Sequence, residues 1–262
     1  MSFVRQLAGT ELRVSALGLG TVKLGRNEGV KYPQSFSIPD DREVQDLLAL
    51  ASELGINFID TAPAYGNSEE RLGKVLNNRQ DWVIATKVGE EFEQGKSRFD
   101  FSAGHTRFSV ERSLQRLKTD YLDIVLIHSD GQDESILQNS GCLEQLQRLK
   151  EAGLIRAIGM SSKTMSGGML AAQLMDIVML TYNLQERDQA AVVDFAAEHN
   201  KGILVKKGLM SGHLQDNGKS LLQESMQLIF SQRAISSMIV GTIKQDHLRQ
   251  NVELACRVID SL

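Results

Sequence analysis

The chain has 262 residues, enough to bury a large core without disulfide staples, and its 42% hydrophobic and 24% charged residues are those of an ordinary globular protein. A formal net charge of −4 speaks against nucleic acid or an anionic membrane as the main partner. No stretch approaches the roughly 18 apolar residues of a membrane span. Residues 1–15 lack the apolar run of a signal peptide, and the two cysteines, Cys142 and Cys256, suit a reducing compartment, so a cytoplasmic location is expected.

In chain order, Phe3–Leu7 and Glu11–Val14 flank the turn Ala8-Gly9-Thr10 and read as a short hairpin. Strand-length apolar runs then alternate with segments of helical spacing. The predicted strands are Ser15–Leu19, Asn57–Asp60, Trp82–Lys87, Asp123–Ile127, Arg156–Met160, Ile177–Leu180, Gly202–Val205 and Met238–Val240. Predicted helices are Arg42–Leu54, Ser68–Leu76 with Ser68 as its N-cap, Val110–Lys118, Leu143–Ala152, Gln189–Glu198, Leu221–Phe230 and Gln245–Asp260. Gly55, Gly153 and Gly202 follow helix ends, where a left-handed residue is favoured, and lead into strands.

Such alternation requires a parallel sheet with right-handed crossovers. With about eight strands, the expected fold is α/β, a (β/α)₈ TIM barrel preceded by the short N-terminal hairpin. An open doubly wound sheet would show Gly-x-Gly-x-x-Gly after its first strand; here Gly18 and Gly20 are followed by Lys23 in the third place. No linker or low-complexity segment divides residues 1–262, which read as one domain.

In such a barrel the chemistry gathers where strands end and the following loops begin. Asp60, Lys87 and His128 end successive predicted strands, and Tyr65 lies in the loop after Asp60. Singly, each has a plain reading: a helix cap, a solvated lysine, a core histidine, a rim aromatic. Together they suit proton transfer. A free phenol has a pKa of about 10; a nearby lysine cation lowers it. Asp60 would keep Lys87 charged and oriented, and His128 would hydrogen-bond a substrate oxygen. The result is a phenol matched to protonating an alkoxide, the step that completes carbonyl reduction by hydride.

With these residues in view, the sequence resembles the aldo-keto reductase family along essentially its whole length. The most specific parts are Gly55–Glu69, which reads G-x-N-x-x-D-T-A-x-x-Y-G-x-S-E, and Thr86-Lys87; Asp120–His128 and Gly153–Gly159 add to them. The resemblance implies the barrel, a bound NADP(H) or NAD(H), no metal, and a catalytic tetrad on Asp60, Tyr65, Lys87 and His128. Tyr65 would act as general acid in reduction and general base in oxidation.

The family's cofactor positions fall on Gly20 and Thr21, on Asp60, on Ser161 and Ser162, on Met179, on Lys206, Gly208 and Leu209, and on Gly241, Thr242, Lys244, His247 and Asn251. Several depart from the pattern. Ser162 stands where an asparagine amide commonly holds the nicotinamide carboxamide, Met179 where a glutamine does, and Lys206 where an aromatic ring stacks on the nicotinamide. Lys206 would cover the ring with its methylene stem or reach a phosphate. Lys244, at a helix start that favours anions, would meet the 2′-phosphate of NADP(H), which is expected over NAD(H), and Asn251 the adenine.

Two long loops, Lys23–Asp40 and Gly89–Arg107, are expected to set substrate choice, with Phe99 and Phe101 as pocket walls and Arg98 or Arg107 for an acidic substrate. The chain continues only about 11 residues past Asn251, so an open pocket for small aldehydes, ketones or sugars is expected. A non-catalytic nicotinamide-binding regulatory or ancillary subunit on the same fold is the alternative, and a Schiff-base aldolase using Lys87 or Lys206 a further one. The oligomeric state is left open.

Overall fold

The computed structural model describes residues 2–30, 35–210 and 218–262. An antiparallel hairpin, β1 (Val4–Gln6) and β2 (Arg13–Ser15), opens the chain, pairing Val4 with Ser15. The barrel strands are β3 (Leu17–Gly20), β4 (Phe58–Asp60), β5 (Val83–Val88), β8 (Leu122–His128), β9 (Ile155–Ser161), β10 (Ile177–Thr181), β11 (Gly202–Lys206) and β12 (Ile235–Val240). They are parallel, and β12 pairs with β3 to close the ring. A second hairpin, β6 (Glu90–Glu93) and β7 (Lys96–Phe99), stands outside the ring, directly after β5.

The helices are α1 (Val22–Gly25), α2 (Asp41–Glu53), α3 (Ser68–Val75), α4 (Ala103–Leu117), α5 (Asp133–Asn139), α6 (Cys142–Glu151), α7 (Met165–Leu174), α8 (Ala190–Glu198), α9 (Gly218–Phe230) and α10 (Gln245–Asp260). The start of α2 follows from its sequence: the Asp40 carboxylate accepts from the Glu43 amide, and Glu43 reaches back to the Asp40 amide. At two of the three expected helix ends the left-handed residue is the glycine, Gly55 or Gly153; at the third it is Asn200, and Gly202 already belongs to β11.

Two apolar layers hold the structure. The outer strand faces pack against the helices in the larger cluster. Inside the ring, Phe58, Ile124, Leu126, Ile177, Met179 and Leu204 form a second cluster, to which the first hairpin adds Leu7, Leu12 and Val14. Leu7 packs on Gly202 at the start of β11, so the hairpin plugs the end of the barrel where strands begin. Each fully buried aliphatic side chain of this plug contributes about 1.5–3 kcal/mol. The opposite end stays open for the cavity described below. Both cysteines are free thiols, and Cys142 is buried. Among the described residues no helix is long and apolar enough to cross a membrane.

Candidate active site

A cavity of about 1330 Å³ opens at the C-terminal ends of the barrel strands. Asp60, Tyr65, Lys87 and His128 all line it. Lys87 and Asp60 end neighbouring strands, and their charges meet with Nζ 2.6 Å from Oδ1. The same ammonium donates to the Thr61 carbonyl oxygen at 2.8 Å and lies 4.7 Å from the centre of the Tyr65 ring. The His128 ring stands edge-on to Tyr65, with centroids 6.2 Å apart.

The loop that carries Tyr65 is held by backbone and by buried hydroxyls. Tyr65 N–H donates to Ala62 O at 3.0 Å. Gly66 has φ +63°, and a Cβ there would lie 2.0 Å from Gly25 O, so α1 and this loop meet backbone to backbone. Ser68 is the first residue of α3 rather than its N-cap: its hydroxyl donates to Thr21 Oγ1 at 2.8 Å, and Asn67 takes the cap position without a side-chain bond. Thr21 Oγ1 in turn donates to Asp60 O at 2.9 Å. Glu69, buried within α3, accepts from Thr86 Oγ1 at 2.5 Å and Ser113 Oγ at 2.7 Å, tying α3 to β5 and α4. Burial pushes its carboxyl above the usual range against those bonds and Arg116.

The family model described as the aldo/keto reductase family matches residues 16–220. The chain belongs to the aldo/keto reductase family. A solved Pseudomonas aeruginosa structure assigned to the aldo-keto reductases is 52% identical, with TM-score 0.90, covering 98% of this chain and 95% of that one. A holo-form aldo-keto reductase from Bacillus halodurans is 26% identical with TM-score 0.82, covering 100% and 96%. L-galactose dehydrogenase of Arabidopsis thaliana is 28% identical over 95% of this chain and 86% of that protein. This aldo/keto reductase is accordingly an NAD(P)H-dependent oxidoreductase.

The remaining predicted positions of this aldo/keto reductase line the same cavity: Gly20 and Thr21 at the end of β3, Ser161 and Ser162 at the end of β9, Met179, Lys206, Leu209, and Gly241, Thr242, Lys244, His247 and Asn251 before and within the first half of α10. Gly208 does not. It packs on β12, where a Cβ would lie 2.4 Å from Met238 Sδ. Met179 belongs to the barrel's inner cluster and reaches the cavity as part of its floor.

The polar partners of this arm were not legible in the sequence. Ser162 is fully buried, and its hydroxyl donates to Gln189 Oε1 at 2.8 Å. Gln189 thus enters the cavity wall from the loop before α8. Lys206 Nζ donates to Ser161 Oγ and to Ser162 O, each at 2.8 Å, bridging β11 to β9. Burial first, then Lys207 and Lys87, push its ammonium down to about 7. Asp133 holds the β9 loop: it accepts from the Lys163 and Thr164 amides at 2.8 Å and from the Thr164 hydroxyl at 2.9 Å.

The long loops differ from expectation. Residues 89–107 fold into the β6–β7 hairpin and the start of α4, whose N-cap is Ser102. Phe99 and Phe101 stack on each other, with centroids 6.0 Å apart, and are not among the residues that line the cavity. Arg107 lies on α4 and pairs with Glu111 at 2.7 Å on the surface. Arg98 is exposed on β7. From the first loop, Lys23, Arg26 and Phe36 line the cavity, and residues 31–34 lie outside the described residues. The Arg26 guanidinium stacks on Phe92 of the hairpin, 3.2 Å from its ring centre. Glu90, on the same hairpin, places Oε2 2.7 Å from His128 Nδ1.

Proposed function

We propose that the chain reduces aldehydes or ketones, sugars among them, to alcohols with NADPH, and that Tyr65 donates the proton. The observation that carries this reading is Lys87, charge-paired with Asp60 and lying against the Tyr65 ring in a cavity shared with His128. A cation there stabilises the phenolate, so Tyr65 can lose its proton to a substrate oxygen and regain it in the reverse direction. Asp60 keeps Lys87 from being a bare buried charge. His128 and Tyr65 orient the substrate oxygen.

The cavity suits a dinucleotide. At about 1330 Å³ it exceeds the usual range for a small ligand and runs from Tyr65 to Asn251 on α10. When bound, the nicotinamide cofactor supplies the hydride that adds to the carbonyl carbon. Gly20 and Thr21, with Gly241 and Thr242, would flank its diphosphate, and Ser161, Ser162, Met179, Lys206 and Leu209 its nicotinamide end. Lys244 is the N-cap of the sixteen-residue helix α10 and would meet a 2′-phosphate, with His247 and Asn251 at the adenosine. This placement favours NADP(H) over NAD(H).

Titration with NADPH and NADH, followed by single-turnover mixing with a panel of aldehydes and sugars, tests the reading. Tight NADPH binding followed by oxidation of the cofactor is expected. Binding without any oxidation across the panel would leave a non-catalytic nicotinamide-binding protein instead.

A further inference from the structure

Arg26 stands at the C-terminal cap of α1 and lines the cavity. Its guanidinium donates to three backbone carbonyl oxygens. Nε meets Glu28 O at 2.7 Å and Nη2 meets Gly29 O at 3.1 Å, which curls the chain after α1 around the side chain. Nη1 crosses to the loop after β4 and donates to Ala64 O at 3.0 Å. The flat face of the same group lies on Phe92 of the β6–β7 hairpin, 3.2 Å from its ring centre. One side chain thus joins three segments at the rim, and none of these partners is charged.

Ala64 O belongs to the peptide that leads into Tyr65. On the other side of Tyr65 the chain also runs against α1: a Cβ on Gly25 would lie 2.3 Å from Tyr65 O. Within the loop, Tyr65 N–H donates to Ala62 O, and Tyr65 O accepts from Ser68 N–H. Those two bonds curl the loop on itself, and the Arg26 fork ties it to another element. A guanidinium suits this task because its N–H groups diverge in one plane while its faces stay free to stack. A lysine ammonium carries the same charge without the fork or the flat face. Gly29 makes room for the stack: at φ +61°, a Cβ there would lie 2.9 Å from Nη2 and 3.2 Å from the Phe92 ring.

We propose that Arg26 is a positioning residue for Tyr65: its fork fixes the peptide before the phenol relative to α1 and the β6–β7 hairpin, and so holds the hydroxyl where the substrate oxygen arrives. The inference rests on the reading of Tyr65 as proton donor. Arg26 acts through the backbone, so its loss misplaces the phenol without removing it. A displacement of about 1 Å costs a reacting group on the order of 10² in rate.

Fluorine NMR of protein labelled with 3-fluorotyrosine follows the phenol directly, with the Tyr65 signal assigned by its loss in Tyr65→Phe. That signal is expected to shift or broaden in Arg26→Met and Arg26→Lys alike. The signal of Tyr121, which packs under Arg156 ahead of β8, should stay in place. In unlabelled protein at saturating NADPH, single-turnover reduction of propanal should slow about tenfold or more in both variants, with the NADPH dissociation constant within about twofold. Phe92→Ala removes only the stack and should give the same changes at smaller size, about threefold in rate. An unmoved Tyr65 signal in folded Arg26→Met overturns the proposal; if that variant does not fold, an unmoved signal in Phe92→Ala overturns it. Full activity in Arg26→Lys overturns the need for the fork. A Tyr65 signal that moves in a protein that reduces no aldehyde counts against the reductase reading alone.

Discussion

The Lys87 ammonium lies 4.7 Å from the centre of the Tyr65 ring and is held there by charge from Asp60 and by the Thr61 carbonyl. The cation is thus fixed against the phenol ring by the protein's own groups. On the proposed reading of Tyr65 as proton donor, its hydroxyl is the group this cation serves. Tyr65→Phe is expected to lower turnover by about 10² or more while leaving the NADPH dissociation constant within twofold. Comparable loss of both, measured by steady-state kinetics and fluorescence titration, would make Tyr65 a structural residue.

The same pair carries a stability prediction. Lys87 and Asp60 are both buried, 1% and 4% exposed, so removing one strands the other. Asp60→Ala should cost about 3–5 kcal/mol in urea unfolding, the usual penalty for an uncompensated buried charge. The double variant Asp60→Leu with Lys87→Met should recover much of that loss, since it leaves no charge behind. A double variant as unstable as Asp60→Ala would contradict this account.

Gly66 fixes the geometry of the loop that carries Tyr65. An added methyl meets the Gly25 carbonyl oxygen and must adopt φ near +63°. Gly66→Ala should destabilise the fold by about 1–3 kcal/mol and shift the neighbouring Tyr65. Turnover should then fall at least tenfold, a modest share of what a misplaced reacting group costs. Retention of full activity would show that the loop relaxes without moving the phenol.

Lys206 should make cofactor binding sensitive to pH. Desolvation, with Lys207 and Lys87, brings its pKa to about 7. The cation is present below that pH and lost above it. If its charge helps to hold an anionic cofactor, NADPH binding weakens several-fold between pH 6 and pH 8, and Lys206→Met removes the dependence. A wild-type profile as flat as the variant's would assign Lys206 to bridging Ser161 and Ser162 only.

Much of the architecture was legible because it is periodic. Alternating strand and helix patterns required a parallel sheet, and each barrel strand ended within a residue or two of its predicted place. The helices that escaped detection have weak local signals. In α7, Gly167 and Gly168 interrupt helical propensity, yet Gly167 is where Asp133 packs, and a Cβ there would lie 2.0 Å from the Asp133 Cβ. The first two turns of α4, ahead of the predicted start at Val110, were hidden in an apparent loop because its apolar stripe starts late, behind the Ser102 cap.

What the sequence by itself determined is the barrel and the identity of the groups at its strand ends. A strand terminus is a local feature, and in a closed parallel ring all such termini face one cavity, so Asp60, Tyr65, Lys87 and His128 had to converge. Which hydrogen bonds those groups make, and which neighbours join them, was decided only by tertiary structure. Ser162 bonds to Gln189, 27 positions on; Lys206 reaches back to Ser161 and Ser162; and Glu90 approaches His128 from a hairpin with no barrel-strand signature. Such contacts depend on how loops of unlike length fold over a rim, and no periodic pattern encodes that.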